Sequence, residues 1–398
     1  MLGYRERRAH KSQQKQQSFQ GSYTPETRAK FPAPIGHNYR DDVERLPASE
    51  AQYIDNASKS EYGLTFHRLP RLVSPGPSSA ASEVGSLISY HGSGSASAEM
   101  WAIFSASSGL KVYNVGEVVD GGTTGTASGA ALAGAPRGDY TVFNNTVIYV
   151  NSVSNTKWTR ASGWTAWSAT VSGGDIDSAD GITSFKNRLF IWKTRKPEFS
   201  YSSVDQVEGT FNTFDLAGVL NSNLAMVESY TRDGGAGPDD YAVFIGENGK
   251  AAVYAGTDPA DANAWSLVGV YQIGKPLSQA SVASHGQQIG VLCEDDFYFL
   301  PEDLQGKKQA TKGVHTAVPD TLGLGLQTNA VAWKEKGLLC YGDGSIINVK
   351  QGYANSTFRV NSSTEGHLSQ SGSPSFGRIY LATYKGKLYG LGAGGNVY

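Results

Sequence analysis

The sequence predicts an all-β fold, a β-propeller of about seven blades (six to eight) with an extended N-terminal arm. Three observations predict it. First, a hairpin of two short apolar strands around a tight turn recurs along the chain. Its copies read WAIFSASSGLKVYNV from Trp101, YTVFNNTVIYV from Tyr140, ITSFKNRLFIW from Ile182 and YAVFIGENGKAAVYAG from Tyr241. They continue as QQIGVLCEDDFYFL from Gln287, AVAWKEKGLLCYGDGSIINV from Ala330 and IYLATYKGKLYGL from Ile379. Second, the equivalent residues Phe104, Phe143, Phe185, Phe244, Ile289, Ala332 and Ala382 recur about every 39–59 residues, one four-stranded blade per period. Third, 48 glycines in 398 residues with 11% aromatics suit many short strands joined by tight turns.

The elements follow in order. Residues 1–35 form a basic extended arm with Arg5, Arg7, Arg8, Lys11 and Lys15 and few large apolar side chains. Such a segment buries too little surface to offset the entropy of ordering, so it is expected to lie on another chain. The five cations are the candidate partner-binding residues, against an acidic surface or DNA. Residues 36–74 form a connecting region, with one or two helical turns in LPASEAQYIDN before a strand in LTFHRL. The propeller spans 75–398, opening on a strand in GSLISYH from Gly85. GGTTGTASGAALAGAPRG, from Gly121, reads as a loop, and a long insertion is expected around 199–240, where the repeat is stretched. Ring closure is expected to pair the strand near Leu87 with the blade that holds Tyr398.

Composition and spacing exclude several classes. A net charge of −2 argues against a bulk nucleic-acid binder. No stretch approaches 18 apolar residues, and no apolar run follows the basic N-terminus, so neither a membrane span nor a secretory leader is expected. Cys293 and Cys340 lie inside apolar strands and read as buried thiols. The seven histidines show no zinc-site spacing, so no metal or cofactor is expected. The run GLGAGG at 390–395 matches a dinucleotide glycine pattern, but three residues are too few for the helix that would hold a pyrophosphate. Acidic groups at Asp233, Asp239 and Asp240, at Glu294, Asp295 and Asp296, and at Asp343 read as solvated turns, with a structural cation as the alternative. Trp158, Trp164 and Trp167 are either packing between blades or an exposed aromatic patch. No catalytic residue is expected.

The segments SFKNRLFIWKTRKPEFSYSSVDQVEGTFNTFDL (184–216) and VFIGENGKAAVYAGTDPADANAWSLVGVYQIGKPLS (243–278) carry a resemblance. An N-R-L-F-x-W hairpin at 187–192 leads to a Tyr-Ser…Asp stretch at 201–205 and to Phe-Asp-Leu at 214–216. A strand ending G-T-D-P…W-x-L-V-G-V-Y-x-I-G-x-P follows at 256–276. This pattern resembles the propeller proteins of short-tailed bacteriophage tails, of the tail tubular protein B or nozzle type. The resemblance implies a structural virion protein in a ring of six subunits, through which double-stranded DNA passes. It implies adaptor, portal-side and tail proteins as neighbours, a location in the short tail after synthesis in the host cytoplasm, and no enzyme activity. Two alternatives stay open from the residues alone: a receptor- or glycan-binding propeller module, and a glycoside hydrolase with carboxylates on distant strands.

Overall fold

A computed structural model describes residues 85–91, 98–106, 109–116, 137–172, 179–233, 238–278, 280–285, 288–295, 297–300, 329–334, 338–341, 380–391 and 397, together with the backbone of short strands at 36–37, 50–51, 57–60, 63–66, 81–83, 127–132, 308–309, 345–348 and 353–357. All belong to one compact unit, Pro34–Tyr398. The arm residues Arg5, Arg7, Arg8, Lys11 and Lys15 lie outside the described residues.

The architecture is an all-β propeller. Four sheets of four strands and two of five follow one another along the chain. The first runs from Ala81–Glu83 through Leu87–Tyr90, Glu99–Ala106 and Gly109–Asn114 to Ala127–Leu132. The second covers Asp139–Phe143 to Gly163–Ala166, the third Gly181–Phe185 to Gly209–Asp215, and the fourth Leu224–Asp233 to Trp265–Gln272. The fifth covers Val282–His285 to Lys308–Gln309 and the sixth Ala330–Trp333 to Tyr353–Thr357. A two-stranded sheet, Tyr380–Tyr384 with Lys387–Leu391, ends the series. Within each four-stranded sheet the strands pair antiparallel in chain order, as a propeller blade requires.

One strand of each sheet is innermost, Leu87–Tyr90 in the first sheet and the first strand in every other, and these strands neighbour one another in turn: Asp139–Phe143, Gly181–Phe185, Leu224–Asp233, Val282–His285, Ala330–Trp333, Tyr380–Tyr384 and Leu87–Tyr90. The hydrophobic clusters lie between successive sheets. Tyr149 and Trp158 of the second pack on Ile88 and Trp101 of the first. Phe190 and Phe199 of the third pack on Phe244 and Trp265 of the fourth. Tyr380, Tyr384, Leu391 and Val397 pack on Leu87, Met100 and Ala102 and so close the ring.

Several expectations need correction. Seven complete four-stranded blades are not found among the described residues, because only one hairpin is described after the sixth sheet. The repeat also falls on different strands in different copies. Phe104, Phe244 and Ile289 lie on second strands, whereas Phe143, Phe185, Ala332 and Ala382 lie on first strands. Residues 199–240 are no insertion: they hold the outer strands Glu198–Tyr201 and Gly209–Asp215, the short helix Ala217–Leu220 and the innermost strand Leu224–Asp233. The loop expected after Gly121 contains the outer strand Ala127–Leu132, and Glu50–Ala51 is a strand where helical turns were expected. Among the described residues, closure comes from packing rather than a shared sheet: Leu87–Tyr90 pairs with Glu99–Ala106 and meets Tyr380–Tyr384 through side chains. Cys293 and Cys340 are buried and form no disulfide, and burial pushes the Cys340 thiol up.

The hairpin turns explain the local chemistry. Asn144 and Asn145 (φ 47° and 57°), Lys186 and Asn187 (45° and 58°) and Lys385 and Gly386 (46° and 73°) occupy the left-handed region as consecutive pairs. Two-residue turns of this type match the twist of the strands they join, and asparagine and glycine tolerate the conformation best.

Candidate functional site

The residues of the resemblance converge on one joint. Arg188 follows the left-handed Asn187 and begins the second strand of the third sheet, Arg188–Trp192. Its residue exposure is 9%. Its Nη1 donates to Ser202 O at 2.9 Å within its own sheet, and its Nε to Thr257 O at 3.0 Å in the fourth. Its Nη2 stands 3.2 Å from Asp258 Oδ2, and the guanidinium lies 6.0 Å from the centre of the Tyr201 ring. The backbone tightens the same corner: Asp205 N–H donates to Asn187 O at 2.7 Å, and Asn144 Nδ2 of the second sheet donates to Asp205 O at 3.0 Å. The Tyr201 hydroxyl is held above its usual range by burial and the Asp258 charge, against the opposing pull of Arg188.

Other residues of the two segments make similar contacts. Phe214 packs on Phe199 and, edge-on, on Tyr254 of the fourth sheet. Tyr254 and Trp265 stack at 5.3 Å. Pro276 bridges to Cys293, and Leu277 N–H donates to Leu292 O at 3.0 Å, tying the fourth sheet to the fifth. Arg188 is therefore a cation whose planar fork is spent on holding two sheets together.

A second polar feature lies among the innermost strands. Asp139, at the start of the second sheet's innermost strand, accepts from Tyr140 N–H (2.8 Å) and from Ile182 N–H of the third sheet (3.0 Å). Glu228, on the innermost strand of the fourth sheet, accepts at Oε1 from Ser229 N–H (3.1 Å) and from the Ser284 hydroxyl of the fifth (3.2 Å). Nearby, the Tyr380 hydroxyl donates to Gly138 O at 2.6 Å, and the Ser86 hydroxyl accepts from Gly138 N–H at 3.0 Å. Gly138 permits this because a Cβ there would lie 2.1 Å from Val150 O. Burial raises the Asp139 carboxyl to about 6 despite its two donors. Burial raises Glu228 to about 7, with Asp139 adding repulsion. His285, next along the fifth sheet's strand, is held down by burial and by the Lys334 charge.

A carboxyl whose folded-state pKa is raised binds its proton more tightly when folded, so its ionisation destabilises the fold as pH rises from its ordinary value through the raised one. For these two groups the window runs from about pH 4 to about 7. Glu228→Gln keeps the Oε1 acceptor and removes the charge. We expect it to melt higher than the parent at pH 8, by on the order of 1–2 kcal/mol after allowing for partial solvation, and no higher at pH 4.5. Parallel melting curves across that range would reject the assignment.

The sequence-predicted residues divide as follows. Trp158 and Trp167 are buried, and all three tryptophans of the trio are packed or partly packed rather than forming a patch. Trp158 and Trp164 meet Trp101 at 4.5 and 5.5 Å, and Trp167 meets Phe211 and donates to Val207 O at 2.7 Å. Asp240 pairs with Lys186 at 2.9 Å and accepts from Thr231, which hold its carboxyl below the usual range although burial acts the other way. Glu294 pairs with Lys275 at 2.7 Å, and the Tyr298 hydroxyl donates to Asp295. The side chains of Asp233, Asp239, Asp296 and Asp343 lie outside the described residues. Among the described residues no three His, Cys, Asp or Glu side chains gather as metal ligands, and no helix is long and apolar enough to cross a membrane.

No family model and no curated protein matches this chain. Solved structures with propellers are similar to it in outline. The BBS1N protein, in complex with ARL6DN, is 10% identical at a TM-score of 0.46, covering 82% of this chain and 96% of that one. Chaetomium thermophilum Raptor is 9% identical at 0.41, covering 69% and 24%. Citrobacter koseri AztD is 10% identical at 0.38, covering 68% and 69%. The fold assignment rests on the strand order above, not on these likenesses.

Proposed function

We propose that this chain is a structural subunit of a ring-shaped assembly, the tail nozzle of a short-tailed bacteriophage, built of six copies around a passage for double-stranded DNA. The observation that carries this reading is the Arg188 joint. The residues of the resemblance, Asn187, Arg188, Tyr201, Asp205, Thr257 and Asp258, are spent on fixing one sheet against the next. That is what a rigid wall needs. In this reading the propeller has seven blades, the hairpin Tyr380–Tyr384 with Lys387–Leu391 being the inner half of the last. A net charge of −2 suits a conduit, since a strongly basic wall would hold DNA by counterion release. The packed tryptophans give the glycan-binding alternative no platform, and no observation favours a hydrolase.

The test is the mass of the purified chain and its image by negative-stain electron microscopy. A mass near six times 42.4 kDa, with rings that have a central opening, is expected. A 42.4 kDa monomer at every concentration, bound to no tail component, would overturn the reading.

A further inference from the structure

The outermost strand of the fourth sheet, Trp265–Gln272, is built unlike a protected blade edge. It pairs only with Lys250–Gly256, so its other side faces no strand among the described residues. Trp265 anchors it in the core at 6% exposure, and the strand then emerges. Leu267, Val268 and Val270 are 44%, 42% and 42% exposed. Half of the large apolar side chains exposed among the described residues thus fall within four positions. Leu267 lies opposite Tyr254 and Val270 opposite Ala252, with a register shift between them. The extra residue, Val268, lets Leu267 and Val270 share a face.

Edge strands are ordinarily blunted by charge, proline, shortness or a cover, because their open N–H and C=O groups recruit other strands. WSLVGVYQ has no charge and no proline over eight residues. Three of the other outer edges differ; those of the first and sixth sheets, Ala127–Leu132 and Tyr353–Thr357, also lack charge and proline but adjoin the strands Gly163–Ala166 and Gly36–His37. In the second sheet the outer strand has four residues, Gly163–Ala166. In the third, Gly209–Asp215 is covered by the chain itself, through the parallel strand Ala169–Val171. In the fifth, the described outer strand is the two-residue Lys308–Gln309. The chain therefore already shows strand addition at one blade edge and leaves the next one open.

We propose that Trp265–Gln272 pairs antiparallel with the same strand of a second copy, joining two propellers through a continuous sheet about a twofold axis. Charge selects this occupant. Asp261 is exposed in the turn at the Trp265 end, and Lys250 lies opposite Gln272 at the other end. An antiparallel twofold pairing sets the Asp261 end of each copy beside the Lys250 end of the other, with only uncharged residues between. A parallel pairing would set like charges together. The twofold contact is distinct from the head-to-tail contacts that close a ring, so it stands or falls separately from the nozzle reading.

The experiment is sedimentation velocity on the full chain over a range of concentrations, with Val268→Lys and Val270→Lys made singly. Both sites are solvent-exposed, so the variants are expected to keep the parent's circular-dichroism spectrum and to halve its mass: two copies to one, or two rings to one if rings form. Asp261→Lys should weaken the association at low salt, and Lys250→Asp added to it should restore the parent mass. A parent that stays single, or lysine variants that keep the parent mass, overturns the proposal. A six-copy ring unaffected by the lysine variants would overturn the edge contact and leave the nozzle reading standing. A dimer that becomes a monomer would do the reverse.

Discussion

Phe244→Ala is expected to lose about 3–5 kcal/mol of stability, the largest single-site effect in the molecule. Phe244 is fully buried on the second strand of the fourth sheet, Pro238–Gly246. Its ring meets Phe199 at 4.5 Å, Tyr254 edge-on at 5.6 Å, Phe190 at 6.2 Å and Trp265 at 6.4 Å. Truncation removes the transfer energy of the ring and leaves a hole that these rigid neighbours cannot fill, because their own positions are fixed by each other. It also removes edge-to-face pairs worth about 0.5–1.5 kcal/mol beyond area. Total stabilities are about 5–15 kcal/mol, so one change here should bring the chain near its unfolding limit and cut soluble yield. Phe244→Leu should cost less than half as much, since it leaves a smaller hole. Urea unfolding followed by tryptophan fluorescence measures both. A loss under 1 kcal/mol for the alanine variant would mean that the third and fourth sheets do not depend on this cluster.

The same burial explains what was legible in the sequence and what was not. Second strands read most clearly because both faces are covered: Thr146–Val150 and Arg188–Trp192 are buried at every position. A strand buried on both faces is a continuous apolar run. Innermost strands are only half covered. Gly181–Phe185 and Val282–His285 each hold two partly exposed polar residues, and LAMVESYTRD of Leu224–Asp233 carries three charged residues. Their apolar signal is weaker, so the repeating hairpin is the first and second strands in some copies and the second and third in others, and its phase slips between copies. The same weakness made Leu224–Asp233 part of an apparent insertion. Closure by packing was not legible either, because Leu87–Tyr90 and Tyr380–Tyr384 meet through side chains and not through a turn. Of the polar features, Asp139 and Glu228 follow no spacing rule. Their available signal is a carboxylate inside or at the start of a strand with a large apolar residue beside it, Tyr140 or Val227, which costs energy and so asks for a reason. Arg188 stood in the recognised motif, but its partners lie 14 and about 70 residues away, and no local pattern names them.

Arg188→Ala is the second large effect, and it tests whether the recognised motif is a joint. The substitution removes donors to two backbone carbonyls, Ser202 O and Thr257 O, and leaves Asp258 without its cation. Hydrogen bonds from a charged group are each worth about 1.5–3 kcal/mol, and buried acceptors left unmade cost more than the bonds themselves contribute. The Asp258 pair deserves a discount, because its side chain is 38% exposed and solvent screens it. The expected loss is about 3 kcal/mol, roughly 5–10 °C in melting temperature. Arg188→Lys should recover only a minor part, since an ammonium cannot reach Ser202 O, Thr257 O and Asp258 together as the planar fork does. Asp258→Asn should cost under about 1 kcal/mol, which separates the carbonyl contacts from the ion pair. Differential scanning calorimetry of the three variants decides the matter. If Asp258→Asn falls as far as Arg188→Ala, the joint is an ion pair and the carbonyl contacts are incidental. If Arg188→Ala melts with the parent, the residues of the motif do not hold the sheets together, and the structural reading of the chain loses its main support.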